Sequence, residues 1–537
     1  MKVLFIYPNS LGYGRVPLGL SILLSVLSEA GHEVELFDTT YIYTADNFDT
    51  KMREDNGTVL ATDTSHLYTS HTLDEIDEML KSQIRSFSPD LVGVSILEDN
   101  YSLSDHFFGL IKSLNKDLPI IVGGPTPTIA PGVVMEHPDV DYLIQGEAEV
   151  ALLEFCNLMQ MGKSVKGVGN LWYKENGELR HNPMGPITNL DTLPMQDLSY
   201  WNQGHFVKAY DGKLHRVASI ELSRGCPRAC AYCIEEAYRK LFSGLGQFYR
   251  QKAISTVAKE INYLKEKFNV EMIFFNDDNF LMQMSEERLE EFSDVWMREV
   301  NLPYWMSTEP LSIIHKHGEK RLKMLRDTGC VGVGMGVESG SEWLRKNILW
   351  RDDSVEDVRK TFKALRGSGI RTTANIMVGF PAEDERDILD SVNLIREVEP
   401  DSIGLNFVAP YIGTPIHEVS KRRDYIKILD KPGYRDMAVE LTGMQHGSVY
   451  KDPTMEMPQL SKSRQSELGQ HFLDYVNDIR PFPLEYLSPE TPERDKMRKD
   501  LATEMRENNP ASRVKNEKPS GGKKKKGFEP EEVAVVV

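Results

Sequence analysis

Along the first 160 residues, short apolar runs alternate with stretches whose apolar positions recur every three or four residues. Val3 to Tyr7 predicts a strand, Pro17 to Ala30 a helix closed by Gly31, Glu33 to Phe37 a strand and Leu73 to Ser86 a helix. Leu91 to Leu97 predicts a further strand and Ser102 to Leu114 a helix. Pro119 to Val122 follows as a strand entering Gly123-Gly124, and Tyr142 to Gln145 as the last strand, with a helix from Glu149. This alternation builds βαβ units on a parallel sheet, so residues 1–160 are expected to form an α/β, doubly wound domain. Ligands of such sheets sit beyond the carboxyl ends of the strands. Here those ends are Pro8 to Tyr13, Glu98 to Tyr101, Gly123 to Thr128 and Gly146 to Glu149.

Residues 161–215 break the pattern. An Asn176-Gly177 turn between apolar runs predicts a β-hairpin, and the Pro- and Asp-bearing stretch through Tyr200-Trp201 reads as linker. A second alternating series has its strands at Val217 to Leu222, Met272 to Phe275, Tyr304 to Ser307, Val331 to Val337, Arg371 to Val378 and Ser402 to Phe407. Six such repeats over residues 216–414 predict a partial (β/α)6 TIM-type barrel, with functional groups at the C-terminal strand ends. Residues 415–505 become mostly helical and are expected to cap the barrel mouth. Tyr411, Tyr425, Tyr434 and Met444 are candidates for an apolar substrate pocket there, with core packing as the plain alternative. Residues 506–537, with Ser520-Gly521-Gly522 and the run Lys523 to Lys526, read as a flexible tail, the alternative being a basic arm.

Composition narrows the function classes. Over 537 residues, 81 acidic side chains against 63 basic ones leave a net charge of −18, a field that repels phosphate backbones and disfavours nucleic acid as a partner. No apolar run approaches the roughly 20 residues of a membrane span, and MKVLFIYPNS does not read as a leader, so a cytoplasmic protein is expected. Only five cysteines occur, which excludes a secreted disulfide framework. Three of them, Cys226, Cys230 and Cys233, lie within one short stretch.

That stretch, Glu221-Leu-Ser-Arg-Gly-Cys-Pro-Arg-Ala-Cys-Ala-Tyr-Cys233, places three thiols as C-x3-C-x2-C directly after a predicted strand. Three thiolates on a compact loop can each hold one iron of a cubane cluster and leave the fourth iron open to substrate or cofactor. Structural zinc is the alternative, but it normally wants a fourth Cys or His nearby, and His215 and Cys330 are both remote in sequence.

With Tyr232 just before the last cysteine, at the end of the first strand of a six-strand βα series, the motif resembles the radical S-adenosylmethionine (radical SAM) superfamily. Phe274-Phe275-Asn276-Asp277-Asp278-Asn279-Phe280, Gly336-Val337-Glu338-Ser339-Gly340 and Gly379-Phe380-Pro381-Ala382-Glu383 extend the resemblance to successive strand ends. It implies a [4Fe-4S] cluster on the three cysteines, with S-adenosylmethionine on the open iron cleaved to a 5′-deoxyadenosyl radical. By the same analogy Tyr232, Asp277, Asp278, Glu338, Ser339, Gly379 and Glu383 are S-adenosylmethionine contacts. The plain alternatives are a helix N-cap for one of the two Asp residues, an arginine pair for Glu338 and a turn glycine at Gly379. Tyr249-Arg250-Gln251-Lys252 departs from the Tyr-Arg-x-Arg sequence of related proteins; Arg250 is a candidate anion contact, and no role is assigned to Lys252 at the second basic position.

The N-terminal domain is similar to the cobalamin-binding subgroup of that superfamily, whose domain is flavodoxin-like. Pro17-Leu18-Gly19-Leu20, Gly123-Gly124-Pro125-Thr126 and Gly146-Glu147-Ala148-Glu149 carry the similarity, the last departing from Gly-Glu-Gly-Glu by one residue. It implies cobalamin contacts at Pro17, Leu18, Ser95, Leu97, Gly123, Gly124, Thr126, Gly146 and Glu147. No Asp-x-His-x-x-Gly loop follows the first strand, so no His ligand to cobalt is expected, and His32 reads as a surface residue. Methylthiotransferases, which also join two such domains, need three more cluster cysteines than Cys156 supplies; Cys156 and Cys330 read as core.

The resemblance implies a class B methyltransferase-like enzyme that transfers a methyl group to an unactivated carbon through a 5′-deoxyadenosyl radical and methylcobalamin. A cobalamin-dependent cyclase, ring-rearranging or oxidising enzyme without net methylation is the first alternative. A non-catalytic cobalamin or redox sensor is the second. The implied partners are a small-molecule, lipid or peptide substrate and an electron donor such as ferredoxin or flavodoxin.

Overall fold

Five strands, β1 (Lys2–Tyr7), β2 (Glu33–Asp38), β3 (Leu91–Ser95), β4 (Ile120–Gly123) and β5 (Tyr142–Ile144), run parallel in the order β2-β1-β3-β4-β5. The computed structural model describes residues 1–9, 16–43, 62–97, 100–315, 318–426, 452–487 and 489–508. β1, β3 and β4 are apolar on both sides because helices cover both faces of the sheet, which is why they read as continuous hydrophobic runs rather than alternations. The helices Leu18–Glu29, Leu73–Phe87, Tyr101–Leu114 and Glu149–Gln160 supply the cover. Leu73–Phe87 starts at a reciprocal cap in which Glu75 N–H donates to Thr72 Oγ1 at 3.3 Å and Thr72 N–H donates to Glu75 at 2.8 Å.

The hairpin expected from Asn176-Gly177 forms as β6 (Leu171–Glu175) and β7 (Glu178–His181), but it is not a free linker. β6 pairs antiparallel to β5, with Leu171 opposite Ile144, and brings the first sheet to seven strands. Its outer strand is exposed throughout, as suits a polar cover on a sheet edge. His32, expected at the surface, is 5% exposed, with Nδ1 facing the Met1 nitrogen at 3.3 Å. The turn after Leu18–Glu29 brings it beside Asn157 of the helix Glu149–Gln160.

The second sheet contains six parallel strands: β9 (Lys213–Ile220), β12 (Met272–Phe275), β13 (Tyr304–Thr308), β14 (Cys330–Glu338), β15 (Arg371–Val378) and β16 (Ser402–Phe407). β8 (Val207–Tyr210) is added antiparallel to β9, giving the order β16-β15-β14-β13-β12-β9-β8 of a curled half-barrel. The turn between β8 and β9 reaches across the bottom: Tyr210 O–H donates to Val331 O at 2.5 Å, and Arg371 meets Asp211 at 2.6 Å. On the concave face a Cβ at Gly332 would fall 2.2 Å, and one at Gly334 2.9 Å, from the Trp305 ring, so the glycines make room for the indole.

The C-terminal region is helical, with Pro415–Arg422, Lys462–Gln470, Phe472–Val476 and Pro492–Glu507. The last helix docks through Arg498, which forks on Asp387 at 2.9 and 3.0 Å and lies 3.9 Å over the Trp343 ring, and through Arg494 on Asp384. Tyr425 packs in the core at 5% exposure, while Tyr434, Met444, Lys523–Lys526 and the rest of the tail lie outside the described residues.

Candidate functional site

The cysteine loop is pinned by buried carboxylates at its start and between its first two cysteines. Asp277 accepts from Leu222 N–H at 3.1 Å, Ser223 N–H at 2.5 Å and the Ser223 hydroxyl. Two-residue strands β10 (Ser223–Arg224) and β11 (Arg250–Gln251) then pair antiparallel and set the direction of the loop. Arg228 forks on Glu309 at 2.9 and 3.1 Å, and Cys233 N–H donates to Cys230 O at 3.1 Å just before the helix Ile234–Leu241. That helix opens on Glu235 and Glu236 and closes on Arg239 and Lys240, each matching the local end of the helix dipole.

Cys226, Cys230 and Cys233 are half-buried and free, whereas Cys156 and Cys330 are buried. Burial pushes all three loop thiols up, and the neighbouring Cys230 adds to the effect on Cys226 and Cys233. A bound metal cation supplies the charge such thiols need to lose their protons. Among the described residues no three Cys, His, Asp or Glu side chains converge on one metal ion. Thiolates that hold separate corners of a cubane need not converge, so the donor set fits a cluster.

Beside the loop stands a second group. Tyr232 lies edge-on to Phe380, with ring centroids 5.7 Å apart, and its hydroxyl is 3.3 Å from Arg351, which forks on Asp353 at 2.8 and 3.0 Å and donates to Gly336 O at 2.7 Å. Glu338 sits at φ +67°, at a register shift between β14 and β15. Burial pushes its carboxyl up while Arg351 and the Tyr232 hydroxyl work the other way. A non-glycine residue held in the left-handed region beside a chemical site marks stored strain. Gly379 and Phe380 donate their N–H groups to Glu383, whose other oxygen is buried without a partner. Ser339 is fully buried, its hydroxyl accepting from Ser341 N–H at 3.1 Å.

These positions divide the residues expected to touch S-adenosylmethionine. Tyr232 and Glu338 are drawn together beside the cysteines. Asp277, Ser339 and Glu383 are engaged with the chain's own backbone and hold loops in place. Asp278 alone of the set lines the large cavity described next.

A cavity of about 550 Å³ separates the C-terminal strand ends of the first sheet from the mouth of the half-barrel. Pro17, Leu18, Ser95, Leu97, Gly123 and Gly124 line one side, with Gly146 and Glu147 at its edge. The cavity runs on as an apolar slot between the sheet face, at Phe5, Ile121 and Ile144, and the covering helices, at Leu20, Leu23 and Leu152. Gly124 has φ +115°, and a Cβ there would fall 2.6 Å from Ile96 O, so only glycine lets the loop pass so close to the sheet. Thr126 does not line the cavity; it is fully buried, with its hydroxyl unpartnered. A glycine-floored slot with an apolar depth fits a flat macrocycle and its tail. No His lines the cavity among the described residues. The loop residues 10–15, and Glu98 at another strand end, lie outside them.

The barrel side of the cavity is acidic. Glu235 and Asp278 face it, and Glu235 Oε2 is buried without a partner. Burial pushes both carboxyls up; Asp278 raises Glu235 further, and Glu221 raises Asp278.

Two arginines join the two halves: Arg250, expected to contact an anion, and Arg224, which sequence reasoning missed. Arg224 meets Glu149 at 2.8 Å, Glu147 at 3.2 Å and Glu221 at 3.0 Å. Arg250 also binds Glu147, whose second oxygen accepts from Thr188 N–H at 2.7 Å. Burial works to raise the Glu147 carboxyl, but Arg224 and Arg250 outweigh it and hold it below the usual range. Glu147, expected on the corrinoid, therefore lines the cavity with its charge engaged across the domain boundary.

Comparison with known proteins follows the same division. The family described as "B12 binding domain" matches residues 9–155, and that described as "Radical SAM superfamily" matches residues 220–395. An "Uncharacterized methyltransferase PH0819" of Pyrococcus horikoshii is 26% identical over 435 residues, 78% of this chain and 83% of the relative. The radical S-adenosylmethionine methyltransferase TsrM of Kitasatospora setae, solved with cobalamin and a [4Fe-4S] cluster bound, superposes with a TM-score of 0.62 at 16% identity, over 94% of this chain and 99% of that one. The cobalamin-dependent radical enzyme OxsB, solved with aqua-cobalamin and S-adenosylmethionine, gives 0.63 at 16% identity, over 94% and 71%. At these identities the two structures speak to the fold.

Proposed function

The chain belongs to the radical SAM superfamily, with a B12-binding domain ahead of its radical SAM domain, and on that premise we propose that it methylates an unactivated carbon of its substrate. The observation that carries the proposal is the shared cavity. One wall is the glycine-floored end of the first sheet, and the other is the end of the half-barrel from which the three cysteines hang. Cobalamin on the first wall would supply methyl transfer, and a [4Fe-4S] cluster with S-adenosylmethionine on the second a carbon radical.

The chain's own residues account for the rest. Cys226, Cys230 and Cys233 would hold iron, and Asp277 and Arg228 fix the loop that presents them. Tyr232 and Glu338 would meet S-adenosylmethionine beside that loop, while Glu383 keeps the Gly379 turn in shape. Arg224 and Arg250 draw the corrinoid wall against the barrel, so that groups held on the two walls would face one another across one cavity. A low-potential donor such as ferredoxin or flavodoxin would deliver the electron, in a cytoplasm reducing enough to keep the thiols free.

The reading is tested by product stoichiometry, with the compound that accumulates in a strain lacking the gene supplied as substrate. Methyl transfer yields S-adenosylhomocysteine and 5′-deoxyadenosine in equal amounts per product. Formation of 5′-deoxyadenosine without S-adenosylhomocysteine would indicate cyclisation or oxidation, and formation of neither a sensor.

A further inference from the structure

We infer that Glu309 is a positioning residue that acts through Arg228 and sets how readily a cluster on the neighbouring cysteines takes up an electron. The inference needs only the [4Fe-4S] cluster of the radical SAM domain and is indifferent to the fate of the methyl group.

Glu309 directly follows β13 (Tyr304–Thr308), at the carboxyl ends of the strands where a barrel of this kind gathers its chemistry. No resembling segment marks this position in the sequence. Glu309 precedes the helix Pro310–Ile314 without capping it, so its carboxylate is left for other work. Arg228 donates Nε–H to its two oxygens at 2.9 and 3.1 Å and Nη2–H to one of them, and the Ser312 hydroxyl donates at 3.0 Å. Arg228 stands between Cys226 and Cys230, so the fork bears on the chain between two iron ligands.

A carboxylate that served only to anchor this loop could do so from the surface. Asp352 does: it holds Nη1 of the same guanidinium with its side chain 65% exposed. Glu309 holds the guanidinium from inside, at 7% exposure. A charge standing in water is screened, whereas one taken out of water acts strongly on its surroundings. The reach of Glu309 is visible at Cys230. Burial is the main reason that thiol is raised; Arg351 opposes the rise, and Glu338 and then Glu309 add to it.

Negative charge near a cluster disfavours the added electron, and positive charge favours it. Two carboxylates on one guanidinium leave the group negative overall, and Glu309 is the one whose charge is desolvated. It therefore keeps the potential low, so that an electron from a donor such as ferredoxin or flavodoxin arrives at a strongly reducing centre.

The test is a redox titration of the protein reconstituted with iron, sulfide and cobalamin, read from the EPR signal of the reduced cluster without S-adenosylmethionine or substrate. Glu309→Gln keeps the side chain's shape, and Asp352 still holds Arg228, so iron content is expected to match wild type. At a given potential its ratio of reduced to oxidised cluster is expected to rise about tenfold, an upward shift of about 59 mV for a one-electron couple. Glu309→Asp retains the charge, and Asp352→Asn removes one that stands in water; both are expected to stay within about twofold of wild type. A Glu309→Gln protein that loses iron, or that holds iron at the wild-type potential, assigns Glu309 to the loop alone and overturns the proposal. An equal shift in Asp352→Asn or Glu309→Asp overturns it as well. No turnover enters the measurement, so this role can fail while methyl transfer stands, and methyl transfer can fail while this role stands.

Discussion

The guanidinium of Arg224 lies 2.8 Å from the carboxylate of Glu149, tying the chain two residues before Cys226 to the first turn of a helix in the other domain. Glu147 and Glu221 share the same guanidinium. Removing it leaves three carboxylates facing one another in a mostly buried junction. Arg224→Ala is therefore expected to cost about 3 kcal/mol, the lower end of the range for breaking a buried pair, since the side chain keeps some solvent contact. Denaturant unfolding of the cofactor-free protein measures this directly. A variant within about 0.5 kcal/mol of wild type would show that the junction is held by packing instead.

The cysteines are expected to separate by access. Burial raises the thiols of both groups, so exposure divides them: Cys156 and Cys330 are sealed in the core, while the three loop cysteines keep solvent contact. Alkylation of the native apoprotein at pH 8 should therefore modify Cys226, Cys230 and Cys233 and spare the other two until denaturant is added. Cluster reconstitution should protect the three, a pattern read by mass spectrometry of the peptides. Replacing any one of the three by Ala should abolish the cluster's absorbance without altering the fold.

Gly124→Ala places a methyl group 2.6 Å from Ile96 O on a backbone at φ +115°. The strain is expected to cost about 1–3 kcal/mol and to fall on the loop that floors the corrinoid wall. Cobalamin retained after gel filtration should drop sharply, while iron content, set by the other wall, should not change. Equal loss of both would mean that the two walls fold as one unit.

Glu235 gives the apoprotein a pH dependence. Its carboxyl is raised from the ordinary range to about 8, first by burial and then by Asp278. The folded state thus binds this proton more tightly than the unfolded one, and the stability it contributes at low pH is lost as pH rises from the usual carboxylate range through about 8. Glu235→Gln removes the charge. Its Tm should match wild type at pH 5 and exceed it at pH 8.5 by roughly 2–4 °C, corresponding to about 1 kcal/mol in a domain of this size. A wild-type Tm that does not fall across that window would contradict the assignment.

The parallel strands were legible because each is a short apolar run bounded by helical periodicity, and β1, β3, β4 and β12 are buried along nearly their whole length; β12, β15 and β16 begin and end where the pattern places them. The attachment of β6 and β7 was not, since an alternating hairpin does not say which sheet edge it will cover. Asp277 and Asp278 look equivalent as letters, yet strand alternation already separates them: 274, 276 and 278 share the cavity side, and 277 turns to the backbone of the cysteine loop. Arg224 was out of reach for another reason. Its partners Glu147 and Glu149 stand 77 and 75 residues earlier, and no local spacing links them. His32 was misplaced because a position after a helix end says nothing about what packs beneath it.

The central claim is that both walls of the cavity between the first sheet and the half-barrel act on one methyl group. The most direct test supplies S-adenosylmethionine deuterated in its methyl group to the reduced, cobalamin-loaded protein with substrate. The product should carry three deuterium atoms, with S-adenosylhomocysteine and 5′-deoxyadenosine released alongside it. A product formed with 5′-deoxyadenosine but without deuterium would contradict the account.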